Sequence, residues 1–260
     1  MNLTLRELKG KYKRSVLGWS WSLLNPLATA LIFTMVFKIF FAAVTPPGEP
    51  SGLQNFPLFL LCGLLPWNYL ANGLNGATES LVANGNLIKK VYFPREVLIV
   101  ANVASWMVPL LIEFGVLSVL LLVFGNFVLP WLPLVLLLIL VQTGFVLGIG
   151  LILGAVNVYF RDVKHLIGIL LQALFYATPI VYSLSQVPEQ ASLFGLEVPV
   201  RSLYRLNPMV PMVEAFRDVL YDLRFPPLGD LLYVLGWGLA CMAVGLLVFS
   251  RLEPRLAEEL

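Results

Sequence analysis

The chain reads as an all-α integral membrane protein with six transmembrane helices, a basic amphipathic helix at the N-terminus and re-entrant helices between the last two spans. Three observations lead there. Apolar runs at 23–37, 98–124, 132–156, 166–184 and 231–250 carry few charges for their length, and a bilayer core takes about 20 apolar residues of helix. The composition is 59% hydrophobic and 12% charged, with mean hydropathy +0.86. So many apolar helices would leave a soluble fold too little polar surface to cover them. Lysine and arginine, finally, are concentrated in particular connections. All 260 residues fit one membrane domain, 1–260, with no room for a separate catalytic domain of ordinary size.

Residues 1–18 place Arg6, Lys9, Lys11, Lys13 and Arg14 among Leu5, Leu8, Tyr12 and Val16 at helical spacing. That pattern predicts a short helix lying on an anionic membrane surface. The segment does not have the form of a removable signal peptide, so the first span is expected to direct insertion. That span covers about 23–44, with Asn25-Pro26 at its entry, Trp19 and Trp21 in the interfacial belt and Lys38 snorkelling near its end. A Pro/Gly-rich loop, 45–55, follows.

The second span, about 56–82, is polar in its second half. Asn68, Asn72, Asn75 and Glu79 are separated by steps that keep one helix face. Such a stripe is costly against lipid, so it faces protein, water or cargo. Pro66 is a candidate break. The basic connection 83–96 leads to a third span at about 97–124, which holds Glu113. The fourth, about 132–156, contains Gly144, Gly148, Gly150 and Gly154 in small-xxx-small pairs that permit close helix approach. The basic connection 157–165 and a fifth span at about 166–184, containing Pro179, come next.

The connection 185–229 is too apolar for a plain loop. Residues 203–225 mix apolar anchors with Arg205, Glu214, Arg217 and Asp218, interrupted by Pro208 and Pro211. They read as one or two half-helices dipping into the outer membrane face, with a surface amphipathic helix as the alternative. The sixth span covers about 231–250.

Cationic residues cluster in 1–18, in 83–96 (Lys89, Lys90, Arg95), in 157–165 (Arg161, Lys164) and at Arg251 and Arg255, while 45–55 and 125–131 carry none and 185–229, read as partly embedded, carries four. The positive-inside bias makes the first set cytoplasmic and puts both termini inside. It also explains the basic patches without nucleic acid. No GxxxxGK[ST] loop, HExxH, GxSxG or CxxC occurs, so neither nucleotide, cofactor nor metal is expected on this chain and it is not read as an enzyme. Cys62 and Cys241 read as buried small hydrophobes. Glu79 and Glu113 are the membrane-depth carboxylates, suited to an ion-coupled carrier or to plain hydrogen bonding. Trp67, Tyr69, Trp106, Phe175, Tyr176, Tyr182 and Trp237 form a surplus of rings that suits sugar faces or ordinary helix packing.

Local motifs add a resemblance. KYKRSVLGWSWSLLNP, residues 11–26, is similar to the start of bacterial ABC-2 type permeases that export polysaccharides, through Tyr12, Lys13, Ser15, Leu17, Gly18, Trp21, Leu24 and Pro26. VYFPRE at 91–96 resembles the first cytoplasmic connection of that family. YFRD at 159–162, with Arg161 and Asp162, resembles the second, and Asn207-Pro208 the region before the last span. The matches are ordered along nearly the whole chain and fit O-antigen, capsule and teichoic-acid exporters alike.

The resemblance implies six spans, re-entrant helices in 185–229 and a homodimer in the bacterial cytoplasmic membrane. It implies two copies of a separate cytoplasmic ABC ATPase, which would hold the ATP and magnesium. Lys89, Lys90, Val91, Tyr92, Phe93, Arg95 and Glu96 would dock on that ATPase. Arg6, Lys9, Lys13 and Arg14 would mark the interface helix. The cargo would be a lipid-linked polysaccharide. Asn68, Asn72, Asn75, Glu79, Trp67, Trp106 and Tyr176 would line its path. A lipid or drug exporter, an ion-coupled carrier using Glu113 or Glu79, and a scaffolding membrane protein are the alternatives.

Overall fold

The computed structural model describes residues 3–11, 17–40, 45–91, 93–193 and 196–259. The helices are α1 (Leu3–Lys11), α2 (Trp21–Phe33, continued by a π-helical stretch Thr34–Phe40), α3 (Phe56–Ala83), α4 (Gly85–Lys90), α5 (Glu96–Val123) and α6 (Leu132–Tyr159). They continue with α7 (Val163–Tyr176), α8 (Val200–Leu206), α9 (Met209–Arg217), α10 (Leu228–Leu252) and α11 (Leu256–Glu259). A two-stranded antiparallel ribbon pairs β1 (Ala191–Leu193) with β2 (Leu196–Val198).

Among the described residues four helical stretches are long and apolar enough to cross a membrane: Leu23–Phe40, Glu96–Val123, Leu129–Tyr159 and Leu228–Arg255. The six-span expectation is therefore corrected, and two segments account for the difference. α3 has the length, 28 residues, but its asparagines and prolines dilute its apolarity. α7 stops after 14 residues, well short of the expected 166–184, because the chain turns at Thr178 and Pro179 instead of continuing. The expected re-entrant pair is corrected too. Residues 185–229 hold the ribbon, the seven-residue α8, and the nine-residue α9 ending in a π-helical turn, Asp218–Asp222. The apolar residues of α9 serve packing: Phe216 stacks on Phe114 of α5 at 5.2 Å, and α9 lies across α3.

α3 is the centre of the bundle, in contact with α5, α6, α7 and α9. Its start is set by Asn55, whose side chain accepts the Leu58 N–H at 3.3 Å, with Pro57 in the first turn where its missing N–H costs nothing. Pro66 lies within the helix without ending it. Gln142 of α6, fully buried, donates to the Pro66 carbonyl at 2.7 Å. Two further bonds tie the same face to α6: Tyr69 to Thr143 at 2.9 Å, and Asn157 to the Thr78 carbonyl at 2.9 Å. In a lipid setting such bonds replace water as partner for backbone and side chain.

Small residues bring the other helices close. A Cβ on Gly148 would strike the backbone of Cys241 and Met242 of α10, and one on Gly245 would strike the Gly148 carbonyl. Gly150 and Gly154 face Ala77 and Ile99. The glycine pairs of α6 thus serve α10 on one side and α3 with α5 on the other. With no hydrophobic drive between helices in lipid, this van der Waals fit is a main source of their association.

The cationic connections meet at one end of the bundle. Arg6 donates to the Asn84 side chain at 2.5 Å, Arg95 bonds the Glu253 carbonyl, and Tyr159 donates to the Leu252 carbonyl at 3.2 Å. Leu256 of α11 is fully buried there, against α6 and α4. The other end collects the loop 45–55, the turn at Asn126 and residues 178–224. Ser51 donates to the Tyr221 carbonyl at 2.6 Å, Asn126 to the Leu220 carbonyl at 2.7 Å, and the Tyr221 hydroxyl accepts the Asn55 N–H at 3.0 Å.

The glycine contacts yield a stability prediction. Gly148→Leu forces α10 off α6 and destabilises the purified protein on the order of 3 kcal/mol, seen as a lower melting midpoint in detergent. Gly144→Ala, where the nearest atom lies at an ordinary 3.8 Å, leaves the midpoint unchanged. Equal midpoints for both variants would refute the close-packing account.

Candidate functional site

The asparagine stripe opens onto a groove. Asn72, Asn75 and Glu79 are exposed and Asn68 is half-buried, while the opposite face of α3 is the one bonded to α6. A cavity of about 270 Å³ lies over Asn68, Tyr69 and Asn72, walled by Trp21 and Asn25 of α2 and by Trp106 and Glu113 of α5. A second of about 330 Å³ adjoins it toward the cationic end, walled by Asn72, Asn75, Glu79, Trp106, Lys164 and His165. Asn72 and Trp106 belong to both, so the two form one polar trough along α3. At its mouth Lys164 stands 3.8 Å from Glu79, both side chains largely solvated; such a pair contributes little stability.

Of the expected path residues, Asn68, Asn72, Asn75, Glu79 and Trp106 share this trough. Trp67 and Tyr176 do not. Trp67 is buried and meets Phe175 edge-on at 5.7 Å. Tyr176 is exposed at the end of α7, its ring 5.3 Å from Phe175. Sequence reasoning did not assign Trp21, Asn25, Lys164 or His165 to the path. Their place on its wall is a tertiary fact; Glu113, which shares that wall, is the one marked in the sequence, as a carboxylate at membrane depth.

At the cationic end, α4 presents Lys89, Lys90 and Val91 to the outside and buries Ile88. Phe93, Arg95 and Glu96 are half-buried. Arg95 is engaged by Glu253, both through the carbonyl and through the carboxylate, which accepts the Arg95 N–H at 3.5 Å. Tyr92 lies outside the described residues, as do Lys13, Arg14, Tyr12 and Ser15. Arg6 turns inward to Asn84 and to Glu7 at 3.2 Å, and Lys9 is on α1, which packs on α5. Arg161 and Asp162 are exposed, and the Asp162 carbonyl accepts from His165 and Leu166 to open α7. Asn207 caps α9 by accepting the Met209 N–H at 3.0 Å and donates to Thr178 at 3.0 Å, with Pro208 following it.

The opposite end is held by Arg217, buried among carbonyls. It donates to Pro179 at 2.5 Å and Ile180 at 2.6 Å, pairs with Glu214 at 3.3 Å, and lies 3.8 Å over the Phe59 ring. Burial lowers its pKa, opposed by Glu214. Beside it a cavity of about 320 Å³ is walled by Ser202, Arg205, Glu214, Asp218, Arg224 and Asp230, among others. Arg224 bonds Asp218 at 2.5 Å and Asp222 at 3.3 Å. Among the described residues no group of three or more His, Cys, Asp or Glu side chains converges on a metal position.

Comparison with known proteins follows the same chain from end to end. Residues 1–221 match the family described as ABC-2 type transporter. An O-antigen export system permease protein of Klebsiella pneumoniae is 31% identical over 98% of this chain and 92% of its own length. One from Myxococcus xanthus is 29% identical over 100% of this chain and 94% of its own. A polysialic acid transport protein of Escherichia coli is 26% identical over 98% and 93%.

The cluster around Asp218, at the end away from the cationic connections, carries a pH dependence. Burial, opposed by the Arg224 guanidinium, pushes the Asp218 carboxyl up to about 6 from 3.8. An acid whose pKa rises on folding favours the fold while protonated, below its unfolded value, and loses that contribution as pH rises through the folded one. Relative to Asp218→Asn, the wild type therefore loses melting temperature between about pH 4 and pH 7. A wild type that gains on the variant over that range would mean that pairing with Arg224 outweighs burial.

Proposed function

The chain belongs to the ABC-2 type transporter family, and from that premise we propose that it is the membrane permease of an ATP-driven exporter whose cargo is a lipid-linked polysaccharide. It is a multi-pass transport subunit, and its energy comes from elsewhere. The cargo reading rests on the full-length similarity to O-antigen and polysialic acid transport proteins. The observation that carries it to residues is the trough. A hydrated glycan needs hydrogen-bonding groups and flat rings along its route but no tight site. Asn68, Asn72, Asn75 and Glu79 supply the first and Trp106 the second.

The working unit in this reading is a homodimer in the bacterial cytoplasmic membrane with two copies of a cytoplasmic ABC ATPase. Both termini are cytoplasmic. The gathering of α1, α4, the connection at Arg161 and α11 at one end supports that placement, since the positive-inside rule assigns cationic ends to the cytoplasm. α4 and the residues after it, Lys89 to Glu96, form the docking element. Lys89, Lys90 and Val91 face outward and are free to enter a partner's groove, whereas Arg95 is held by Glu253 and serves to fix the element in place. The whole chain, 1–260, acts as one permease domain and breaks no covalent bond.

Two measurements test this. In vesicles containing the partner ATPase, Asn72→Trp fills the trough and abolishes glycan export with normal dimer yield. Asn72→Leu lowers export as well. A stripe that only glued helices together would tolerate that single loss, at about 0.6–2 kcal/mol, and full export by Asn72→Trp would take α3 out of the path. For docking, the pair Lys89→Glu with Lys90→Glu weakens ATPase association by about tenfold to a hundredfold, or about 1.4–2.8 kcal/mol, and leaves the permease dimer intact. Undiminished co-purification and transport would place docking elsewhere.

A further inference from the structure

The polar trough does not end at Glu113. Beyond it a narrow neck of about 10 Å³ is walled by Pro26, Leu27, Leu61, Glu113, Leu117 and Leu120, among others. Past the neck a chamber of about 440 Å³ lies between α2, the start of α3 and the end of α5. Its wall is mostly hydrocarbon: Leu31, Met35 and Ile39 from α2, Leu58 from α3, Phe124 just past α5, with Thr34 and Asn55 the polar residues on it. Pro26 and Glu113 wall both trough and neck, and Leu27, Leu61 and Leu120 wall both neck and chamber. One seam along α3 is thus polar over the half nearer the cationic end and apolar over the other.

We propose that this apolar chamber is the subsite for the hydrocarbon tail of the lipid-linked substrate, with its polar head in the asparagine-lined trough. The inference rests on the export reading above and goes beyond it by assigning the two halves of an amphiphile to two parts of one seam. Polarity supplies the orientation. A lipid of the cytoplasmic leaflet has its head toward the cationic end and its tail toward the bilayer centre and beyond, and the seam changes character in the same sense. A long hydrocarbon chain meets this wall of leucine, methionine and isoleucine by dispersion contacts alone. The neck is tight in this conformation, so a chain passes only when α2 lifts from α3 and α5. Of the four long apolar stretches, Leu23–Phe40 has the smallest share of residues buried within the chain, 11%, so lifting α2 breaks the least packing within the chain.

Bulk phospholipid is the competing occupant, and photo-crosslinking separates the two. A benzoylphenylalanine replaces Leu31, an exposed residue on the chamber wall, and in a control replaces Leu247 on the exposed face of α10. Each protein is reconstituted with the partner ATPase in phospholipid vesicles containing a radiolabelled glycan linked to a long isoprenoid diphosphate. Dimer yield checks that each variant folds. The expected result is about tenfold more labelled adduct at 31 than at 247, a preference of about 1.4 kcal/mol, competed by unlabelled substrate and not by added phospholipid. Equal labelling at the two positions, or labelling at 31 that phospholipid removes, makes the chamber an ordinary lipid contact and overturns the proposal. No labelling at 31 overturns it as well. The trough variant Asn72→Trp in the same vesicles then tells the failures apart: blocked export leaves the export path standing without the tail subsite, and normal export removes the path itself.

Discussion

A helix that exposes a row of asparagines on one side has to be held on the other, and α3 meets that constraint between Pro66 and Thr78. Its buried face is bonded to α6 through Gln142, Thr143 and Asn157. The Gln142 bond anchors α3 to α6 at Pro66, the residue where the helix lacks one intrahelical N–H. Because that face is committed to α6, the asparagines are turned toward α2 and α5, where the trough lies. The position of α3 is therefore fixed by hydrogen bonds that lipid cannot supply, and the trough is what that fixed position leaves open.

The far end solves a related problem with a charge. The turn after α7 leaves the carbonyls of Pro179 and Ile180 without helical partners, and Arg217 supplies both donors. A buried guanidinium is expensive, and this one is offset by five contacts at once: the Pro179, Ile180 and Tyr182 carbonyls, the Glu214 carboxylate and the Phe59 ring. The result links α7, α9 and α3 at a single residue. Gly63 belongs to the same fit, since a side chain there would press on Arg217 and Val213 at 3.1 Å.

Local periodicity was legible in the sequence and tertiary assembly was not. The stripe Asn68, Asn72, Asn75 and Glu79 could be placed on one face because helical spacing is a property of a short stretch. The walls opposite it, Trp21, Asn25 and Glu113, come from helices far apart in the chain, and nothing in a single sequence pairs them. The count of spans went wrong where apolar length alone was used. In α3 the asparagines dilute the run, and in α7 the chain turns toward Arg217 before the run is complete. Residues 203–225 were apolar for a reason the sequence does not distinguish from membrane entry: Phe216 and its neighbours pack on α3, α5 and α6. The glycines of α6 show the converse, since a motif common by chance marks here the tightest approach between two helices.

The placement of the docking element relative to the trough is itself part of the mechanism proposed. α4 follows α3 after a single residue, Asn84, whose side chain both donates to the Ser80 carbonyl at 2.9 Å and accepts from Arg6. Glu79 lies one residue before that serine, at the mouth of the trough beside Lys164. A push on α4 is therefore felt within about one helical turn of the mouth. It also reaches α1 through Arg6 and α10 through Arg95 and Glu253. The bonds at this junction are part-buried, while the three between α3 and α6 are fully buried. In the mechanism proposed, the mouth beside the cationic end is therefore the side that yields and the α3–α6 face the side that holds. Force applied by a partner ATPase would open the groove against a fixed wall, with α2, the least buried span, as the side that moves.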